Sequence, residues 1–156
     1  MRRGPKCGPA DAANDAPITE AATTSSTLDG SSGKDQLEGN GETDILSVMV
    51  GNDTNTAGDG NDTPNGGDGD DILTGGAGTD LFVFHSGGFG QDTVTETSAS
   101  ADHIELAIGL YDNFQDLQPH MQEVGQDVVI TISDAEAITL QKVTLADLDP
   151  NDFTMF

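Results

Sequence analysis

The sequence predicts an all-β fold built from stacked repeats, and three observations lead there. A nine-residue period runs without a gap from Gly30 to Val83. Beyond it, short β-prone apolar segments recur toward the end of the chain. Only 34% of the 156 residues are hydrophobic and 4% aromatic, a thin supply for a conventional packed domain.

In chain order, residues 1–29 come first, rich in Ala, Thr, Ser, Pro and Asp with no periodicity of two or 3.6. They predict a disordered leader. Met1, Arg2 and Arg3 precede GPKCGPA rather than an apolar run, which argues against a cleaved signal peptide and a twin-arginine signal. Cys7 is the only cysteine, so no internal disulfide staples the fold.

The repeats then read GSSGKDQLE, GNGETDILS, VMVGNDTNT, AGDGNDTPN, GGDGDDILT and GGAGTDLFV. The sixth place is always aspartate: Asp35, Asp44, Asp53, Asp62, Asp71 and Asp80. The fourth is glycine except at Glu42. Glycines in such turns accept left-handed backbone and let carbonyls converge, while aspartate adds a hard anionic oxygen. Calcium takes six to eight such oxygens at roughly 2.3–2.6 Å. The last three places predict a short strand with its middle residue turned inward: Leu37, Leu46, Asn55, Pro64, Leu73 and Phe82.

After the repeats, further strands are expected at Leu81 to Phe84, Thr93 to Thr95, His103 to Leu106, Val128 to Ile132 and Ala137 to Leu140. Phe114, Leu117 and Met121 predict a short helix within Tyr111 to Met121, limited by Pro119. The end, VTLADLDPNDFTMF, alternates acidic and apolar residues before a hydrophobic terminus.

The nonapeptides resemble the GGxGxDxUx repeats of RTX, or hemolysin-type, calcium-binding proteins. The flank GGAGTDLFVF, with QDTV and DHIEL after it, resembles the C-terminal domain of serralysin-like proteases. That resemblance covers Leu28 to Phe156. It implies a right-handed parallel β-roll over residues 30–83, with two nonapeptides per coil and about three coils, and a C-terminal β flank over 84–156. It further implies that Asp35, Asp53 and Asp71 stack along one edge and Asp44, Asp62 and Asp80 along the other. Several Ca2+ ions would then sit between coils, in up to four places. By the same resemblance the chain leaves the cell through a type I secretion apparatus, read from an uncleaved C-terminal signal in Val143 to Phe156. It folds on calcium in the extracellular medium.

The repeats depart from the pattern in the middle. Asn55 and Pro64 remove the apolar filling of one coil, and Val48, Met49 and Ala57 stand where glycines are expected to relieve strain. An alternative is that Ile45 to Val50 forms one longer strand and shifts the register. The expected order of metal places is therefore Asp62 with Asp80 first, flanked by Gly58, Gly60, Gly76 and Gly78. Asp53 with Asp71 follows, aided by Gly67 and Gly69. Asp35 with Asp53 and Asp44 with Asp62 come last. Asp59, Asp68 and Asp70 are expected to be solvated.

A formal charge of -23 disfavours nucleic acid and anionic membranes as partners, and no apolar run reaches the ~18 residues of a membrane helix. An EF-hand fails, since the window from Asp53 has Ala57 and Pro64 at ligand places. His85, His103 and His120 form no H-E-x-x-H motif, and no serine lies in a G-x-S-x-G elbow. No enzymatic role is expected of the chain itself. The alternative is a non-catalytic C-terminal module or fragment of a larger secreted enzyme with an upstream catalytic domain (serralysin-like metalloprotease, lipase or alginate epimerase), or of a surface adhesin.

Overall fold

The structure is a computed structural model that describes residues 17–19, 25–85, 87–95, 102–107, 109 and 111–156. The readings of Met1, Arg2, Arg3 and Cys7 lie outside these residues. The strands are β1 Pro17–Thr19, β2 Thr27–Asp29, β3 Gln36–Gly41, β4 Ile45–Ser47, β5 Thr54–Gly60, β6 Thr63–Asn65, β7 Ile72–Gly78, β8 Leu81–His85, β9 Gln91–Thr95 and β10 His103–Ala107. A helical turn, α1 Phe114–Leu117, continues as 3-10 helix through His120, and β11 Met121–Val124, β12 Asp127–Thr131, β13 Ala137–Leu140 and β14 Phe153–Met155 complete the chain.

From β1 to β10, successive strands alternate between two sheets. One has the order β1-β3-β5-β7-β9-β13-β12-β11 and the other β14-β10-β8-β6-β4-β2. Every repeat strand pairs in parallel with the strand one coil away, so the chain winds a parallel β-solenoid of about four turns. The hairpin β11–β12 and its antiparallel partner β13 close one end. β1 and β2 fall within the segment expected to be a disordered leader, and both pair with repeat strands. β4 stops at Ser47, and Leu28, Leu46 and Pro64 stay in register, so no longer strand displaces the stack.

Period-two alternation explains the inside of the coil. The inward row Leu37, Asn55, Leu73, Val94 and Leu140 runs up one sheet. Leu28, Leu46 and Pro64 run up the other, followed by Phe82, Ile104 and Phe153. Leu37, Leu46, Leu73 and Phe82 are completely buried, each contributing about 1.5–3 kcal/mol. The core nevertheless divides in two. Leu28, Leu37, Leu46, Val48 and Ala57 form one cluster. Leu73, Phe82 and the apolar residues of the flank form the other. Asn55 and Pro64 occupy the coil between them. Asn55 is fully buried, its Nδ2 donating to the Asn65 carbonyl at 3.1 Å while its Oδ1 has no partner.

Pro64 weakens the ladder as well. The Thr63 N–H donates to the Asp44 carbonyl of the preceding coil at 2.8 Å, so the next amide would face β8. Proline has none there, and β6 meets β8 in register only at Asn65 and Val83.

Val48 and Ala57 correct one expectation. Neither is left-handed, because the first place of the turn does not require it; both turn inward and help fill the first cluster. The left-handed non-glycine residues of the repeats are Asn40, at φ 79°, and Glu42, at φ 71°. Among the described residues no helix is long and apolar enough to cross a membrane.

Candidate metal centre

Each repeat aspartate lies at the end of a tight turn, immediately before its strand, and all six are 0–2% exposed. They form two ladders along the roll. On one edge the Asp35 N–H donates to Asp53 Oδ1 at 2.6 Å, Asp53 to Asp71 at 2.7 Å and Asp71 to Asp92 at 2.8 Å. On the other, Ser26 donates to Asp44 at 2.8 Å, Asp44 to Asp62 at 2.7 Å, Asp62 to Asp80 at 2.9 Å and Asp80 to Asp102 at 3.0 Å. Within the repeats the step is 18 residues; the last rungs span 21 and 22.

Asp92 and Asp102 were missed by sequence reasoning, although the signal was present. Gly87 to Thr95 reads GGFGQDTVT, a full nonapeptide displaced by the insertion Phe84 to Ser86, and a search for an uninterrupted period stops short of it. Asp102-His103-Ile104 repeats the aspartate, spacer and inward apolar residue seen at Asp35, Asp44, Asp71 and Asp80.

One oxygen of each carboxylate is used by the ladder. The other oxygen of Asp53, Asp62, Asp71, Asp80 and Asp92 (Oδ2) is buried without a hydrogen-bond partner. Asp35 is set differently: its Oδ2 accepts from the Ser31 N–H at 2.8 Å and hydroxyl at 3.1 Å, leaving Oδ1 unsatisfied. Burial, reinforced by neighbouring carboxylates, pushes Asp62 up to about 6, Asp71 to about 7 and Asp92 to about 8, against the opposing effect of the ladder hydrogen bond. Burial likewise raises Asp53 and Asp80. Rows of stacked, half-satisfied carboxylates are unfavourable on their own, and a bound cation removes both the repulsion and the missing partner.

The turns bring carbonyls to the same edges. Gly58, Gly60, Gly67, Gly69, Gly76 and Gly78 all have positive φ, between 76° and 158°. A Cβ on Gly76 would overlap the carbonyl oxygen of Gly58, and one on Gly78 that of Gly60. Second- and fourth-place carbonyls therefore point along the stack from one turn into the next. The turn at 39–44 also takes positive φ at its second and fourth places, through Asn40 and Glu42, and the Asp44 N–H still reaches Asp62 Oδ1 at 2.7 Å. Forcing Glu42 there costs roughly 1–2 kcal/mol.

Among the described residues no three His, Cys, Asp or Glu side chains gather at one point. The donors are instead single carboxylates between rows of carbonyls, a set of hard oxygens alone, and that composition suits Ca2+. The acidic residues expected to be solvated, Asp59, Asp68 and Asp70, are all exposed, and Asp70 Oδ1 also accepts the Gln91 N–H at 2.9 Å.

Residues 23–54 and 56–94 match the family of the RTX calcium-binding nonapeptide repeat, in four copies. These segments are RTX repeats. The RTX match passes Val83 and takes in the displaced nonapeptide with Asp92. RTX repeats bind calcium, are themselves non-catalytic, and occur in proteins that are typically secreted. Among solved structures, the extracellular lipase LipA from Serratia marcescens is similar over 90% of this chain at a TM-score of 0.50 and 15% identity, a likeness of fold. The chain spans 40% of that lipase's length. No curated protein matches at the sequence level.

Proposed function

We propose that the chain is a calcium-folded module of a protein exported by type I secretion, with ions held between successive coils along both aspartate ladders. The observation that carries this reading is the row of buried carboxylate oxygens without partners, at Asp53, Asp62, Asp71 and Asp80, and again at Asp92. Bound calcium would supply positive charge where stacked carboxylates now repel. Asp62 with Asp80 and Asp53 with Asp71 are the favoured pairs, with Asp44 against Asp62 and Asp71 against Asp92 added by their turn geometry. Asp35 ranks last because its Oδ2, the oxygen left without a partner in Asp53, Asp62, Asp71, Asp80 and Asp92, already accepts from Ser31. Export through the last residues and folding in calcium-rich surroundings outside the cell complete the proposal, since binding and folding of such a site are one event.

A second reading is favoured by the coverage: the likeness takes in 90% of this chain but 40% of LipA. On that reading it is the non-catalytic C-terminal part of a larger secreted enzyme, and carries no active site of its own.

The test is a calcium titration of the purified chain followed by circular dichroism. Asp62→Ala combined with Asp80→Ala should raise the calcium midpoint more than Asp35→Ala does. Equal effects, or none, would overturn the assignment of these residues.

A further inference from the structure

Outside the buried aspartate ladders runs a second set of hydrogen bonds, made by the fifth residue of the turn. Asn52 Oδ1 accepts the Asp70 N–H at 3.3 Å, Asn61 Oδ1 the Thr79 N–H at 3.0 Å and Asp70 Oδ1 the Gln91 N–H at 2.9 Å. The direction is reversed relative to the inner ladder. There an earlier amide donates to a later carboxylate; here an earlier side chain accepts from a later amide. In the first coil the fifth place holds Lys34, which has no acceptor, and Thr43.

The N–H held by each of these side chains belongs to the peptide that joins the fourth and fifth places. In a trans peptide the carbonyl points opposite to the N–H. Holding the Asp70 amide back toward Asn52 therefore sends the Gly69 carbonyl forward, and a Cβ on Gly90 of the next turn would overlap that oxygen. Two of the three bonds, from Asn52 and Asn61, also join the polar coil of Asn55 and Pro64 to the coil of Leu73 and Phe82, where the core is interrupted.

We propose that Asn52, Asn61 and Asp70 are positioning residues that fix the fourth-place carbonyl of the following turn for calcium, making the later calcium places tighter than the first. This rests on the calcium reading above and goes beyond it by assigning a role to exposed residues outside the aspartate set.

The experiment is a calcium titration by circular dichroism, with amide exchange measured on the calcium-saturated protein. Asn61→Ala should raise the calcium midpoint about threefold, the size of one exposed hydrogen bond, and should speed exchange of the Thr79 amide beyond its neighbours. Asn61→Asp should restore both. Asn61→Ala with Ala77→Asp adds the same charge without an acceptor at the fifth place, and should restore neither. Lys34→Asn should lower the midpoint. An unchanged midpoint in Asn61→Ala, or equal rescue by Ala77→Asp, overturns the proposal while leaving calcium binding intact. A wild-type chain that does not respond to calcium overturns the reading on which it rests.

Discussion

Replacing Asn55 by leucine should stabilise the protein, against the usual direction of core mutations. Asn55 is fully buried between Leu37 and Leu73 in the same inward row, so a leucine continues a stack already built at coil spacing. Burying the leucine side chain contributes about 1.5–3 kcal/mol. Removing the unpartnered Oδ1 relieves a further ~1–3 kcal/mol. Against this, the bond from Nδ2 to the Asn65 carbonyl is lost, which costs ~1–3 kcal/mol where that carbonyl stays dry. The balance is a gain of about 2 kcal/mol. Urea unfolding in saturating calcium measures it: the midpoint concentration should rise with an unchanged slope. A lower midpoint would refute the idea that the polar coil is a gap in the core, and would mean that Asn55 satisfies a partner more valuable than leucine packing.

Acidity and backbone space give two further predictions. The buried aspartates are raised to about 6, 7 and 8 at Asp62, Asp71 and Asp92, against ~3.9 for an unfolded aspartate. The calcium-free fold therefore binds more protons than the unfolded chain, and is favoured below about pH 4 and progressively weakened as pH rises through 6 to 8. Without calcium, β signal should be greater at pH 5 than at pH 8, while the calcium-loaded protein should be nearly indifferent between pH 6 and 8. More order at pH 8 in the absence of metal would contradict this. Gly78→Ala drives a methyl into the Gly60 carbonyl at φ 145°, and thermal unfolding in calcium should show a loss of several kcal/mol. Ala77→Gly beside it should be nearly silent.

Much of this architecture is legible because the repeat couples chemistry to spacing. Asp35 to Asp80 at every ninth residue, with Leu37, Leu46, Leu73 and Phe82 two places on, set the period and the inward face, while the pairing of alternate aspartates followed from the resemblance to RTX repeats and matches the ladder. What stayed hidden depends on conformation rather than composition. Which turn glycines need positive φ is a property of the folded turn, so Val48 and Ala57 read as defects although they pack inward at a place that tolerates a side chain. Asp92 escaped because a three-residue insertion breaks the count, although β9 pairs in register with β7 and Asp92 continues the ladder. Strands such as β2 and β14 owe their form to a neighbouring strand, β4 and β10, rather than to their own three residues.

The most direct test of the whole account is far-ultraviolet circular dichroism of the chain at neutral pH, titrated with calcium and separately with magnesium. The account predicts a cooperative rise of β signal with calcium, at concentrations of ~10⁻⁴ to 10⁻³ M typical of extracellular modules. Magnesium, smaller and reluctant to shed water, should be far less effective. A spectrum unchanged at millimolar calcium, or an equal response to magnesium, would contradict it.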